Sequence, residues 1–180
     1  EPDLGTAAVV AATAFFMFVY AGVSRFSLVA VTLGSLLFTG VFLSQETYRM
    51  ERITSHLHRW EDRHMDDIGY QTTQSETAMA DGGLFGQGIG AGRVKHYMPA
   101  ATTDFIFATI AEETGLFGVT ILVALTAAMV VRMIQLAGRS QSPFGQLVCV
   151  GVARWMTVQA ATNLMMANGA LPPIGIPYPF

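Results

Sequence analysis

Long stretches without any charged side chain constrain the fold of this chain more than any other feature. They lie between Asp3 and Arg25, between Arg25 and Glu46, between Glu113 and Arg132, and after Arg154. Each stretch approaches the roughly 20 residues that a helix needs to cross a bilayer. The chain is 52% hydrophobic and 13% charged, which is too apolar for an ordinary soluble domain. We therefore predict an all-α, polytopic integral membrane protein.

Four transmembrane helices are predicted within a single membrane domain. They cover about residues 4–23, 26–43, 105–131 and 144–168, and one long loop of about residues 45–104 joins the second to the third. Arg25 lies in the first short connection, and Arg132 and Arg139 lie at the last one. Because short cytoplasmic loops are enriched in Lys and Arg, both connections are expected in the cytoplasm. The long loop and the C-terminal tail are then expected outside.

Two segments of the long loop have recognisable patterns. Ile53, Leu57 and Trp60 recur at helical spacing among charged residues, which predicts an amphipathic helix lying in the headgroup layer. The glycine-rich segment 82–92 follows no predicted strand, so we interpret it as a flexible loop with backbone donors available to a ligand. All 4 histidines lie in this loop without the spacing of converging metal ligands, so no metal site is predicted.

Asp104 stands where the polar loop meets the third apolar stretch. A carboxylate beside the run from Phe105 to Phe107 is partly desolvated if the helix is in lipid. Desolvation raises the proton affinity of a carboxylate and makes it a plausible general base. The alternative is that Asp104 caps the N-terminus of the helix, and spacing alone favours the cap.

Other polar side chains fall inside the predicted spans. The next two acids along the third helix, Glu112 and Glu113, either line a hydrophilic groove or lie on the helix surface near the interface. Arg154 lies well inside the fourth span, where a charge needs a partner, and we predict that it pairs with Glu112 or Glu113. Gln159 and Asn163 are one turn apart, so they share a face and are expected to hydrogen-bond between helices.

Short motifs occur in a characteristic order along nearly the whole chain. They are Glu1 to Thr6, Arg52-Ile53 with Trp60, Gly69-Tyr70-Gln71, Gln74-Ser75, Gly82 to Gly90, Lys95 with Tyr97 and Pro99, Thr103 to Ala108, Glu112 to Gly115, Gln159 with Asn163, Leu171 to Pro177, and Pro179-Phe180. Their order and spacing resemble the C-terminal half of the SEDS family, the shape, elongation, division and sporulation membrane proteins of the FtsW and RodA type.

The resemblance implies a fold of about ten transmembrane helices, of which about four lie in this chain. It also implies a peptidoglycan glycosyltransferase that polymerises lipid II on the outer face of the bacterial cytoplasmic (inner) membrane. The implied partners are lipid II, a class B penicillin-binding transpeptidase and membrane lipids, with no cofactor and no nucleic acid. The loop motif from Gly86 to Gly90, with Lys95 and Tyr97, looks nearer the FtsW-like division branch.

The implied chemistry gives roles to Asp104 and its neighbours. The family's essential acid falls on Asp104, which favours catalysis over capping alone. A sugar hydroxyl of one lipid-linked disaccharide attacks the anomeric carbon of another while Asp104 takes the proton. A cation would stabilise the leaving pyrophosphate; Arg93 and Lys95 are candidates, with anchoring to anionic lipids as the alternative. The candidate substrate-binding residues are Arg93, Lys95, Glu112, Glu113, Gln159 and Asn163.

Two departures from the family pattern matter. The family commonly has Pro-Glu-Ala-His-Thr-Asp where this chain runs from Pro99 to Asp104 with alanine and threonine in place of the glutamate and the histidine, so roles for those side chains are not available. The chain also begins at a motif found mid-protein in the family, so we expect a fragment that is inactive alone.

Two other functions fit the same features. A transporter or flippase for lipid-linked precursors is one, since a polar groove with intramembrane charges serves translocation as well as catalysis. A non-catalytic scaffold for division or elongation partners is the other.

Overall fold

Helices make up all the regular secondary structure in the part of the chain that the computed structural model describes, which is residues 4–44, 56–58, 69–98, 101 and 103–179. They are α1 (Leu4–Tyr20), α2 (Arg25–Ser44), α3 (Tyr70–Gly82), α4 (Val94–Tyr97), α5 (Ile106–Arg139) and α6 (Pro143–Ala167). The all-α prediction is confirmed for these ranges.

The connections between α1 and α2 and between α5 and α6 are short, as predicted. The chain turns at Gly22, which has a φ of 75°. Ser24 then accepts a hydrogen bond from the backbone N–H of Ser27 at 3.2 Å, which caps the start of α2. At the other hairpin, α5 continues to Arg139, well beyond the predicted end at residue 131, and Pro143 begins α6. Proline suits this first position because the N–H that it lacks would have no helical partner.

α6 is the central helix of the packing. It lies against α5 on one side and α1 on the other, and Gly151 provides the space for the Met17 side chain of α1. α3 packs against α5 and also reaches α6, where the Ser75 hydroxyl donates to the Ala167 carbonyl at 2.8 Å. A segment of the predicted polar loop is therefore part of the helix bundle.

α5 is bent sharply at Gly115, whose φ of 66° and ψ of −170° are not helical. Tyr178 of the tail contacts both sides of the bend: its ring lies 6.2 Å from the Phe107 ring, and its hydroxyl lies 2.8 Å from Oγ1 of Thr126. A straight helix would separate residues 107 and 126 by roughly 28 Å, too far for one tyrosine to span. The segment 106–114 therefore folds back towards the rest of α5.

The apolar surface of the helices fits a membrane. Among the described residues, α5 is the one helix long and apolar enough to cross a bilayer, while the apolar parts of α1 and α2 are shorter. Its part after the bend is roughly 36 Å long, against a hydrocarbon thickness of about 30 Å. Large apolar side chains such as Phe26, Leu37 and Leu125 are exposed on α2 and α5. The arrangement of four spans stays a prediction.

The core lies where the helix ends and the tail meet. Buried residues from α1, α3, α4 and α6 surround Phe105 and Ile176, and a second cluster joins Phe107 to Tyr178. The tail, residues 168–179, thus returns against the helices and lies beside the start of α5.

Candidate functional site

Asp104 lies in the turn before α5, where three segments meet. Its backbone carbonyl accepts a hydrogen bond from Nδ2 of Asn163 on α6 at 2.7 Å. Its Oδ2 faces the tail at Gly175, where a methyl group added to the glycine would lie 3.6 Å from that oxygen. Gly175 has a φ of 79°, a conformation that glycine adopts without strain. Asp104 as a residue is half-buried.

The N-cap of α5 is Phe105, with a φ of −114°, and it makes no side-chain cap hydrogen bond. The prediction that Asp104 is the cap residue is therefore wrong by one position. The physical reason is that the Phe105 side chain, 1% exposed, is packed into the core and fixes where the helix begins. Asp104 is left in the preceding turn, beside the tail.

Asn163 joins that turn to the tail. Its Nδ2 donates to the Asp104 carbonyl and also to the Ile176 carbonyl at 2.8 Å, and the residue is completely buried. The prediction that Asn163 hydrogen-bonds between helices is wrong, because its partners are carbonyls of the turn and the tail. Gln159, one turn earlier, is half-buried and makes no hydrogen bond within the described part of the chain, so its predicted bond between helices is wrong as well.

Glu112 is a buried carboxylate, 2% exposed. Its Oε1 accepts the backbone N–H of Arg93 at 2.9 Å, and its Oε2 accepts the N–H of Val94 at 3.1 Å. These two donors compensate the burial of the charge and hold the start of α4 against α5. Burial, and next the Glu112 carboxylate, raise the pKa of the Tyr97 phenol above its ordinary value.

Glu113 forms an ion pair with Lys95. The Lys95 Nζ lies 2.6 Å from Oε1 of Glu113 and also donates to the Gly90 carbonyl at 2.9 Å, while Oε2 accepts the Gly90 N–H at 2.9 Å. The Arg93 side chain is exposed and makes no hydrogen bond or ion pair with any described residue. Substrate binding by these residues stays a prediction, but Lys95, Glu112 and Glu113 each have a protein partner.

The glycine-rich segment is fastened to the bend of α5 by backbone hydrogen bonds in both directions. The loop donates from Gln87 to the Glu112 carbonyl and from Gly88 to the Glu113 carbonyl, and α5 donates from Leu116 to Gly83 and from Phe117 to Leu84. We predicted a flexible loop with backbone donors available to a ligand. This is wrong for Gln87 and Gly88, because carbonyl groups of α5 accept the hydrogen bonds from their N–H groups.

Two glycines make this contact possible. Gly86 and Gly115 have φ angles of 78° and 66°. A Cβ on Gly86 would overlap the Glu113 carbonyl, and a Cβ on Gly115 would overlap the backbone nitrogen of Gly86. The close backbone approach thus explains the glycines without invoking flexibility.

Arg154 does not pair with Glu112 or Glu113, so that prediction is wrong. Its guanidinium carbon lies 5.0 Å from the centre of the Phe16 ring on α1, and the residue is exposed. Both acids already have partners on the side of α5 that faces the loop and α4, namely the Arg93 N–H for Glu112 and the Lys95 ammonium for Glu113. A cation over an aromatic face is instead the contact that α1 offers to this charge.

The helix α3 was not predicted from the sequence, because it has no apolar stripe. Its buried face consists of small and hydroxyl side chains, among them Ser75, Ala78 and Gly82. A three-and-four spacing of small residues is the signal that could have identified it. The amphipathic helix predicted around Ile53 to Trp60 lies outside the described residues except for 56–58, which do not test it.

Residues 1–180 match the sequence family of cell cycle proteins of the FtsW, RodA and SpoVE type. The chain belongs to this family. Family membership and the long apolar helix α5 together make it a membrane protein.

Several relatives of the FtsW/RodA/SpoVE family are similar over the whole chain. The probable peptidoglycan glycosyltransferase FtsW of Geobacter sulfurreducens is 36% identical over 181 residues, which cover 100% of this chain and 48% of the relative. FtsW of Dichelobacter nodosus is 39% identical, with coverages of 99% and 46%. Stage V sporulation protein E of Bacillus subtilis is 38% identical, with coverages of 100% and 49%. The chain thus spans about half the length of the curated relatives it matches.

A solved structure has the same fold. It comes from work on the structural coordination of polymerization and crosslinking by a peptidoglycan synthase complex. The matching chain has a TM-score of 0.71 and 28% sequence identity, with 99% of this chain and 49% of that chain covered. The helix arrangement described above is therefore also found in a chain of that complex.

Proposed function

We propose that the full-length protein containing this chain is a peptidoglycan glycosyltransferase that polymerises lipid II into glycan strands. Relatives with that name match the chain at 36% to 39% identity over nearly its whole length. The observation that carries the proposal within the chain is the place of Asp104, a half-buried acid where the start of α5, α6 and the tail meet. Glu112 and Glu113 lie further along α5. Glu112 accepts a hydrogen bond from the backbone of Arg93, and Glu113 pairs with Lys95.

Asp104 is the general base in this proposal. The attacking sugar hydroxyl is a poor nucleophile until a base takes its proton as the new glycosidic bond forms. The hydroxyl oxygen bonds to the anomeric carbon of the second lipid-linked sugar, the bond from that carbon to the pyrophosphate breaks, and the configuration inverts. The half-buried turn before α5 presents the Asp104 carboxylate beside the tail, where a bound hydroxyl could reach it.

Arg93 is the cation that we assign to the leaving pyrophosphate. Charge accumulates on that group as the bond breaks, and a nearby cation lowers the barrier. The Lys95 ammonium already holds Glu113 and the Gly90 carbonyl, so using it would require breaking these contacts. The Arg93 guanidinium is exposed, and its backbone is fixed by Glu112, which supports its assignment over Lys95.

The proposed topology is multi-pass in the bacterial cytoplasmic membrane, with the long loop and the tail outside. Arg25 and Arg139 at the short connections, with Arg132 in the last turns of α5, support it. A class B penicillin-binding transpeptidase is the proposed partner, because the structural relative belongs to a complex that coordinates polymerization with crosslinking.

The test is an assay with purified full-length protein and lipid II, which scores glycan polymer and, in sealed vesicles, movement of the lipid II headgroup across the bilayer. Polymer is the expected result. Headgroup movement without polymer would replace the proposal by a flippase. The absence of both activities, in the presence and in the absence of the transpeptidase, would leave a scaffold.

A further inference from the structure

The amide of Asn163 connects the three segments around Asp104. Its Nδ2 has two hydrogens, and both are used: one bond goes to the Asp104 carbonyl at 2.7 Å and the other to the Ile176 carbonyl at 2.8 Å. One nitrogen therefore fixes the turn that carries the acid and the tail that lies beside the acid. Gly175, whose backbone faces Oδ2 of Asp104, is directly before Ile176 in the chain.

The hydrogen bonding of Asn163 does not maximise the stability of the fold. Asn163 is completely buried, with 0% of its surface accessible. Its Oδ1 has no hydrogen-bond partner in the described part of the chain. Burying an unpaired acceptor destabilises a fold. The two bonds from Nδ2 compensate for this loss by joining segments that no helix holds together.

We propose that Asn163 is a positioning residue for Asp104, and this inference rests on the proposed function. Because both donors of its amide serve the protein, we assign Asn163 a role through Asp104 in place of the substrate binding predicted from the sequence. It keeps the carboxylate at a fixed distance and angle from the reacting hydroxyl. Displacing a catalytic group by about 1 Å can lower a rate by roughly a hundredfold.

The test uses Asn163→Ala in the full-length protein, with Ser75→Ala as the matched control. Ser75 is also completely buried, and its hydroxyl donates to the Ala167 carbonyl at 2.8 Å, on the same helix as Asn163 and not to the turn that carries Asp104. Per folded molecule, Asn163→Ala is expected to lower kcat by about tenfold to a hundredfold, with the KM for lipid II within about twofold. Ser75→Ala is expected to keep the kcat of the parent. Asn163→Ser replaces Asn163→Ala if the alanine variant does not accumulate.

A double-mutant cycle separates positioning from a general structural role. If Asn163 acts through Asp104, Asn163→Ala will lower the residual rate of an Asp104→Asn variant by less than about twofold. Equal kcat for Asn163→Ala and the parent, an equal fall in Ser75→Ala, or additive losses in the cycle would each overturn the inference. Undiminished polymerisation by Asp104→Asn would instead overturn the proposed function, so the two failures are distinguishable.

Discussion

The bend at Gly115 gives the sharpest prediction about stability. Gly115→Ala would place a side chain at a φ of 66° and a ψ of −170°, a region that residues other than glycine rarely adopt. This strain costs about 1–3 kcal/mol. The new Cβ would also overlap the backbone of Gly86 and Leu84, so the loop must move away. The two nearest hydrogen bonds, from Leu116 and Phe117 to the loop, are then lost at about 1 kcal/mol each.

We therefore expect Gly115→Ala to lower the free energy of unfolding by about 3–5 kcal/mol. The matched control is Gly138→Ala on the same helix, where an added Cβ meets no atom within 4 Å. This control is expected to be neutral or stabilising by up to about 1 kcal/mol, because alanine is the better helix former. The measurement is thermal unfolding of both variants in the full-length protein in detergent. Equal unfolding midpoints for the two variants would refute the account of the bend.

Two further predictions concern Arg154 and the topology. Arg154→Leu should cost about 0.5–1 kcal/mol in thermal unfolding, as for an exposed cation over the Phe16 ring, and a loss above about 3 kcal/mol would indicate a buried ion pair instead. In a Cys149→Ser background, a cysteine replacing Ile89, which is 90% exposed, should react with an impermeant thiol reagent outside intact cells, and one replacing Ser140 should not. The reverse labelling would overturn the topology and put the glycine-rich loop in the cytoplasm.

The helices were predictable from the sequence where burial in lipid dominates. The charge-free stretches located α1, α2 and α6 to within a few residues, because uncharged apolar length is what a bilayer selects. The end of α5 was placed too early, since Arg132 was treated as a boundary although the helix continues to Arg139. An arginine at the end of a span can remain helical while its charge reaches the interface.

The contacts around the candidate site were less predictable, because they depend on backbone groups that meet in three dimensions. The motif pattern identified Asp104, but no spacing rule connects it to Asn163 or to Gly175. The sequence places Glu112 either in a hydrophilic groove or on the helix surface, whereas the residue is buried and holds the backbone at the start of α4. Glycines suggested flexibility, yet the loop they form is bonded to a bend that only the folded chain contains.

The most direct test of the central claim is the initial rate of lipid II polymerisation by the full-length protein carrying Asp104→Asn. Asparagine keeps the size of the side chain, and the backbone carbonyl that Asn163 binds is unchanged. The asparagine amide cannot accept the proton from the attacking hydroxyl. We expect the variant to accumulate and unfold like the parent but to polymerise at least about a hundredfold more slowly. Polymerisation at the rate of the parent would contradict the assignment of Asp104 as the base.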